Sequence, residues 1–369
     1  MMDRSGFLNP RFFCTRLLLS FLFLFPVFFL FFSASLYPES FYVDDGGSDG
    51  NDGTNSTLPF RTIQRAANAM MPLSQSSTCY IMPGTYQEKV TICSNKNGGY
   101  MVFIGMSNAK PLLQGALLTN SGFLITNTSR VILNNIIIKQ FNRYAVSIGG
   151  SSRSNRILNC FLYSNAVFGV FLHTDLSDDN EIRANTAWGW NQDYGINIMD
   201  ADRNLVRSNI VYKCRDSGGG IRLHGTAVSN IISRNQMYSN KQYGINLEDN
   251  TVNQNSVLTN IIRANSGTGL NLSAADKNLV RGNLICKNSN EGVYFINQCV
   301  SNIIENNIIC SNSGDGVYLY IGGSSPRNNF ILNNDIFGPD QNIGVHFWAA
   351  SLNTIKGNKL RKHESDGIY

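Results

Sequence analysis

The fold is decided by a phrase that recurs through most of the chain, Asn204-Leu-Val-Arg-Ser-Asn209, which returns as Asn302-Ile-Ile-Glu-Asn-Asn307. In each copy a second Asn follows the first after five positions, and most of the residues between them are apolar. The spacing between successive copies is 23 to 27 residues, which predicts a repeating structural unit. The second Asn of the phrase occurs at Asn134, Asn185, Asn209, Asn235, Asn260, Asn283, Asn307, Asn334 and Asn358, with Cys160 in the position between the first two.

A second phrase, a Gly followed by alternating apolar residues, keeps the same period. A unit of about 25 residues with short period-two runs and no helical stretch leaves room for three short strands and three turns. This pattern predicts a parallel β-solenoid, in which stacked coils about 4.8 Å apart let equivalent Asn side chains bond to one another. Leucine-rich repeats also carry a periodic Asn, but their Leu-rich consensus is absent. The glycines are Gly169, Gly195, Gly220, Gly244, Gly269, Gly292, Gly316, Gly344 and Gly367.

The composition agrees with a turn-rich folded protein. The 369 residues are 43% hydrophobic and 15% charged, which excludes a disordered polyelectrolyte. The chain contains 47 Asn and 33 Gly against 9 Pro, a bias that favours repeated tight turns. The formal charge of +5 is too small to indicate a nucleic-acid partner.

The N-terminal part resembles a known family through three stretches: Tyr42-Val-Asp-Asp-Gly-Gly-Ser-Asp-Gly-Asn-Asp-Gly53, Pro59-Phe-Arg-Thr-Ile-Gln-Arg-Ala66, and Pro83-Gly-Thr-Tyr86 with Glu88. With the Asn phrase, these stretches resemble the right-handed parallel β-helix proteins of the pectate-lyase-like superfamily. The N-terminal module is similar to that of polysaccharide lyase family 9. The resemblance implies an all-β right-handed parallel β-helix, and it leaves function open among lyases, hydrolases, epimerases, copper-site accessory proteins and adhesins.

The two ends of the chain carry different expectations. Residues 1–35 contain three Arg, an apolar run and small residues, which predicts a signal peptide or an uncleaved anchor. The body is then secreted or at the cell surface, and membrane contact requires the uncleaved form. Residues 36–128 are expected to form a cap and the first coils, with a helix over Thr62 to Met70, and residues 129–369 the regular repeats. The last Gly phrase, at Gly367, runs into the final residues, so we expect an open C-terminal coil that either continues in a longer chain or pairs with another edge. We expect a monomer.

The Gly phrase predicts which side chains face outward. Residues one and three after Gly are apolar and should point inward, so residues two and four after Gly should form two outward columns. Aromatic and amide side chains in these columns suit an extended polysaccharide, because rings stack on sugars. The expected substrate-binding residues are Phe171, Asn197, Asn246, Tyr294, Tyr318, Tyr320 and Trp348.

The middle coils carry the ionisable residues of these columns. In β-elimination on a uronate polymer, a base removes the C5 proton while the substrate carboxylate is neutralised, commonly by Ca²⁺. His224, Arg222 and Glu248 are the catalytic candidates: His224 is the easier base, and Glu248 is expected to orient it. The candidate calcium ligands are Asp175, Asp178, Asp179 and Asp200.

Other interpretations remain open. Asp residues at coil turns are favoured because they bond their own backbone, without any metal. Family 9 lyases use a lysine base, and neither outward column contains a lysine. The rival function is a non-catalytic surface or adhesion solenoid, or an accessory protein of the copper-site type. Two cysteine pairs are feasible, Cys286 with Cys310 on neighbouring coils and Cys79 with Cys93.

Overall fold

Three parallel sheets run the length of the structure, a computed structural model that describes residues 38–94, 99–106, 109–115, 120–215 and 218–369. The chain winds as a right-handed parallel β-solenoid of about 11 turns with about 25 residues per turn, and each turn adds one strand to each sheet. The expected signal peptide or anchor, residues 1–35, lies outside the described residues. Within those residues, no helix has the length and apolarity that crossing a membrane requires.

The strands of each sheet pair only with the equivalent strands of the coils before and after. In the described ranges, sheet A consists of Glu39–Val43, Ser77–Ile81, Met101–Gly105, Val131–Asn134, Arg156–Leu158, Glu181–Arg183, Leu205–Arg207, Ile231–Ser233, Ser256–Leu258, Leu279–Arg281, Ile303–Glu305, Phe330–Leu332 and Thr354–Lys356. Sheet B consists of Thr85–Tyr86, Leu112–Gln114, Ile137–Lys139, Phe161–Tyr163, Thr186–Trp188, Ile210–Tyr212, Gln236–Tyr238, Ile261–Arg263, Leu284–Cys286, Ile308–Cys310, Asp335–Phe337 and Lys359–Arg361. Sheet C, whose strands contain the Gly phrase, consists of Val90–Ile92, Ser121–Thr126, Tyr144–Gly149, Phe168–His173, Tyr194–Met199, Gly219–His224, Tyr243–Glu248, Leu270–Ser273, Val293–Ile296, Val317–Tyr320 and Val345–Trp348.

The recurring Asn residues form hydrogen-bonded ladders inside the turns. Asn235 accepts the backbone N–H of Asn209 at 2.9 Å, and its own Nδ2 donates to Asn260 Oδ1 at 3.1 Å and to the Val206 carbonyl at 2.9 Å. The same pattern repeats from coil to coil, so the predicted ladder is confirmed. It satisfies buried backbone groups that face no water. The ladder before sheet B contains Asn185, Asn209, Asn235, Asn260, Asn283, Asn307, Asn334 and Asn358, and the ladder before sheet A contains Asn155, Asn180, Asn204, Asn230, Asn255, Asn278, Asn302, Asn329 and Asn353.

One end of the predicted column needs correction. Asn134 does not occupy the slot below Cys160, because strand pairing places Asn134 opposite Leu158. Since Ile137 pairs with Phe161, the slot belongs to the buried Ile136. In this first coil of the column, the position that Asn occupies in later coils is therefore filled by the apolar side chain of Ile136.

The glycine of the second phrase is required by the close approach of neighbouring coils. A Cβ atom at Gly269 would lie 2.7 Å from the carbonyl oxygen of Gly292 and 2.6 Å from Cγ2 of Ile285. Both distances are far inside van der Waals contact, so a larger residue would force the coils apart. The inward positions after the glycine are buried as predicted, for example Ile196 and Ile198.

The N-terminal helix is confirmed over Ile63–Met70, with Thr62 as its N-cap: the Thr62 hydroxyl accepts the backbone N–H of Arg65 at 3.1 Å. Its buried residues are Ile63, Ala66, Ala67 and Met70. They face the strands Glu39–Val43, Ser77–Ile81 and Val90–Ile92. The helix thus buries its apolar face against the first coils.

The two proposed cysteine pairs have different outcomes. Cys286 and Cys310 form a disulfide between adjacent strands of sheet B, with Cα atoms 4.6 Å apart. The pairing of Cys79 with Cys93 is wrong. Cys79 points into the core and Cys93 is exposed, so both remain free thiols.

We expect Asn235→Ala to lower the free energy of unfolding by at least about 3 kcal/mol, because the buried backbone N–H and Nδ2 of Asn209 lose their acceptor and the Asn260 Oδ1 and Val206 carbonyl each lose one donor. The measurement is urea unfolding followed by circular dichroism. The adjacent, exposed Gln236→Ala serves as the control and should change stability by less than about 0.5 kcal/mol. Equal effects of the two substitutions would contradict the ladder's structural role.

Candidate functional site

The outer face of sheet C carries the two predicted columns in the predicted register. Arg222 pairs with Asn197 on one side and Asn246 on the other, and the register continues to Tyr294 and Tyr318. Parallel in-register strands place equivalent side chains one strand spacing apart. The face is therefore a continuous strip that runs along the axis of the solenoid.

A cavity of about 320 Å³ opens in the middle of this strip, and we call it the central cavity. Its walls are mostly polar, with Arg222 and Glu248 as its charged groups. Tyrosine and amide side chains from neighbouring coils complete it. The lining residues are Tyr194, Arg222, Gln242, Tyr243, Asn246, Glu248, Asn271, Ser273, Tyr294 and Ile296.

Glu248 is held by Arg222 and does not orient His224. Arg222 Nη2 and Nε lie 2.8 Å and 3.0 Å from Glu248 Oε2, and Asn246 Nδ2 donates to the same oxygen at 3.0 Å. The expected Glu248–His224 arrangement is therefore wrong. The guanidinium is the stronger and closer partner for the carboxylate.

His224 lies beside the central cavity rather than in its wall. Its Nε2 is 3.2 Å from Asn197 Nδ2. Burial, and then the positive charge of Arg222, lower the pKa of His224. The ring is accordingly neutral at neutral pH, as a general base must be.

Two tyrosines of the cavity were missed by the sequence analysis. Tyr194 has the Arg222 guanidinium 5.6 Å from its ring centre, and burial raises the pKa of Tyr194 to about 12. Tyr194 and Tyr243 each precede a phrase glycine. At the glycine the usual alternation of inward and outward side chains along the strand is interrupted. A Cβ at Gly195 would meet the core residue Val211, so Gly195 faces inward, and Ile196 after it also faces inward. The residue before the glycine consequently points outward.

The later coils of the strip present packed rings. The ring centroids of Tyr318 lie 5.4 Å from Tyr294, 5.7 Å from Tyr320 and 4.3 Å from His346. His346 Nδ1 is in turn 2.7 Å from Asp315 Oδ2. Trp348 is 52% exposed and so offers the most open ring of the group.

Three of the expected substrate-binding residues are covered by their neighbours. Phe171, Asn197 and Asn246 are only 8%, 1% and 3% exposed. Phe171 packs on the rings of Tyr144 and His173, with centroids 4.9 Å and 4.6 Å away. Among these three, Asn246 lines the central cavity.

The four Asp residues are not brought together as a metal site. Asp178 is 3% exposed, and its Oδ2 lies 2.9 Å from Arg203 Nη2 and 3.2 Å from Arg153 Nη2. Asp179 Oδ1 pairs with Arg203 Nε at 3.0 Å.

Asp175 and Asp200 line a different cavity, of about 410 Å³, at the ends of the sheet C strands. Asp200 Oδ1 there accepts the backbone N–H of Thr226 at 2.9 Å. In the part of the chain that the structure describes, no three His, Cys, Asp or Glu side chains are grouped to hold a metal ion. Calcium binding by this group stays a prediction.

Comparisons with known proteins agree on the fold. Residues 172–318 match the family described as periplasmic copper-binding protein (NosD), and residues 275–369 match the family described as right handed beta helix region. No curated protein sequence matches the chain.

Three solved structures share the architecture at low identity. XylC in complex with xylose is 11% identical with a TM-score of 0.65, covering 86% of each chain. The mannuronan C-5 epimerase A-module from Azotobacter vinelandii is 14% identical with a TM-score of 0.57, covering 89% of this chain and 97% of its own. A rhamnogalacturonan lyase is 15% identical with a TM-score of 0.55, covering 87% of each chain. The chain therefore has the right-handed parallel β-helix fold that its sequence indicated.

We expect Arg222→Gln to raise the pKa of His224, because the substitution removes a positive charge and releases the Glu248 carboxylate. The measurement is the NMR titration of the His224 ring protons. Arg207→Gln is the matched control: Arg207 lies on sheet A, 2.8 Å from Glu181, and should leave the titration unchanged. Because folding lowers the pKa of His224, the folded protein keeps its full stability above the pKa of a free histidine and loses part of it as the pH falls from there through the lowered pKa.

Proposed function

We propose that the protein is an exported carbohydrate-active β-helix that binds an extended acidic polysaccharide along the outer face of sheet C, with one uronate residue in the central cavity. The observation that carries this proposal is the Arg222–Glu248 pair inside a polar, tyrosine-walled cavity on a continuous strip. Guanidinium groups recognise carboxylates, and tyrosine walls suit the apolar faces and hydroxyls of sugars.

The structural relatives support the substrate class. They are a complex with xylose, a mannuronan C-5 epimerase and a rhamnogalacturonan lyase. Each of these proteins has a carbohydrate as its ligand or substrate. A shared fold carries no function by itself, so the proposal depends on the cavity and the relatives only agree with it.

The chemistry proposed is β-elimination. A base takes the C5 proton of the bound uronate, the electron pair forms the C4–C5 double bond, and the glycosidic oxygen leaves C4 and takes up a proton. Arg222 is proposed to pair with the substrate carboxylate and stabilise the charge that develops on it. His224, neutral because burial lowers its pKa, is the proposed base.

Hydrolysis by two carboxylates is less well supported. That chemistry needs a pair of Asp or Glu side chains that flank the scissile bond. Among the described residues that line the central cavity, Glu248 is the one carboxylate. Its charge is already paired with Arg222, which favours a positioning role for Glu248 over that of an acid.

The experiment is to incubate the protein with a panel of uronate polymers and to follow ultraviolet absorbance, since elimination creates an unsaturated product. We expect Arg222→Gln to lower both binding and turnover at least about tenfold, because a charge-assisted hydrogen bond contributes about 1.5–3 kcal/mol. The control Arg207→Gln should behave as wild type. A parallel assay with chelator tests the calcium prediction.

Two outcomes would overturn parts of this proposal. Binding of a uronate polymer without new absorbance, under all metal conditions, would assign a non-catalytic binding solenoid. Equal binding by wild type and Arg222→Gln would remove the central cavity from the interaction.

A copper-handling function is a second candidate, favoured by the match of residues 172–318 to the periplasmic copper-binding family. The described residues offer no cluster of metal ligands, and of the five free thiols among them Cys93 is exposed while Cys79, Cys160, Cys214 and Cys299 are buried. Titration with copper in competition with a coloured chelator tests it. Transfer of copper to the protein at stoichiometric ratio would favour this function over the carbohydrate proposal.

A further inference from the structure

A second cavity, of about 330 Å³, opens on the same outer face of sheet C toward the N-terminal coils. We call it the basic cavity. The residues used below are Lys89, Arg143, Tyr144, Ser147, Phe171 and His173, all of which line it.

The charge of the basic cavity is unbalanced. Lys89 and Arg143 supply two positive charges, and no carboxylate is among the described lining residues. Neither cation forms an ion pair within the part of the chain that the structure describes, whereas Arg222 in the central cavity is paired with Glu248. Burial and the charge of Arg143 lower the pKa of His173, so the imidazole adds no third positive charge at neutral pH.

The wall beside these cations is aromatic and ordered by contacts. Tyr144 lies 4.9 Å from Phe171 between ring centroids, and the Arg143 guanidinium lies 5.0 Å from the Tyr144 ring. Ser147 Oγ is 3.1 Å from His173 Nε2, which fixes the imidazole. An anionic group beside the cations, with an apolar face against the rings, matches the two chemistries that this cavity presents.

The two cavities share one strip at a defined separation. Strand pairing leads from Ser147 through Phe171, Asn197 and Arg222 to Asn246, one coil at a time. Four strand spacings of about 4.8 Å put Ser147 about 19 Å from Asn246 along the axis, and the walls of the two cavities adjoin at Phe171 and Tyr194 on neighbouring coils. A single extended chain that lies on the strip therefore passes over both.

We propose that the basic cavity is a second, anion-binding subsite, in which Lys89 and Arg143 hold a negatively charged sugar of the same polysaccharide chain about three coils from Arg222 of the central cavity. This proposal rests on the proposed function, because it assumes that the strip holds a polysaccharide. It adds a requirement for chain length: an oligomer too short to span the two cavities gains nothing from Lys89 and Arg143.

The test is to compare binding of a long polyuronate and of a uronate disaccharide to the full chain by calorimetry at low salt. We expect Lys89→Gln combined with Arg143→Gln to weaken binding of the long polymer at least about tenfold and to leave the disaccharide unchanged. The control combines Lys139→Gln with Arg156→Gln, which removes the same charge from sheets B and A and should change affinity less than about twofold. Circular dichroism melting checks that all variants are folded.

The results of this experiment distinguish failure of the subsite proposal from failure of the proposed function. If Arg222→Gln weakens binding of the long polymer and the Lys89/Arg143 double variant binds like wild type, the basic cavity is not a subsite and the proposed function stands. If wild type binds no uronate polymer, the proposed function fails. A sulfated polymer of neutral sugars is the third arm: loss of its binding in the double variant would support the subsite and assign a sulfate ester, instead of a carboxylate, as its ligand.

Discussion

The structure depends on the buried hydrogen bonds between stacked Asn side chains. Each coil must turn sharply inside a solenoid whose interior excludes water, so the backbone groups at the turn need partners from the protein. The residue before each ladder Asn adopts left-handed backbone, for example Ser208, Arg234 and Thr259 with φ of 56°, 56° and 53°. Such a conformation costs a residue with a side chain about 1–2 kcal/mol. The ladder Asn offsets that strain, because one amide accepts from the coil before it and donates to the coil after it.

The repeat length, the fold and the two outward columns could be predicted from the sequence. Two phrases repeat with the same period, and each coil has the same geometry as the one before it. The structure also contains a third ladder, which the two repeated phrases do not reveal. Asn240, Asn265, Asn288 and Asn312 follow the second Asn of the phrase by five residues, and they bond to one another after sheet B. The signal is interrupted because Cys214 lies one coil before Asn240 and Gln341 follows Asn312. Periodicity reveals a column only where the same residue type fills it.

The candidate site was harder to predict, because each charged side chain has more than one possible partner on the neighbouring strands and the sequence does not show which one it contacts. Column order placed Glu248 beside both Arg222 and His224, and only the side-chain geometry shows that the guanidinium takes the carboxylate. The tyrosines before the glycines were missed because the alternation of faces slips where the chain is most crowded. The number of Asp residues at two neighbouring turns suggests a metal site, yet Arg153 and Arg203 already neutralise Asp178 and Asp179. Asp residues at a turn can therefore be present because they stabilise the turn and its ion pairs, and their number alone does not indicate a ligand.

The disulfide between Cys286 and Cys310 joins two neighbouring coils and encloses one repeat, with a sequence separation of 24 residues. If the ends of the chain are pulled apart, coils peel away one at a time, since each coil contacts mainly its neighbours. The disulfide prevents the residues between the two cysteines from extending, which would otherwise add about 80 Å of chain at about 3.4 Å per residue. The later part of the solenoid is therefore less extensible than the earlier part until the bond is reduced, and the protein has an elastic asymmetry along its axis.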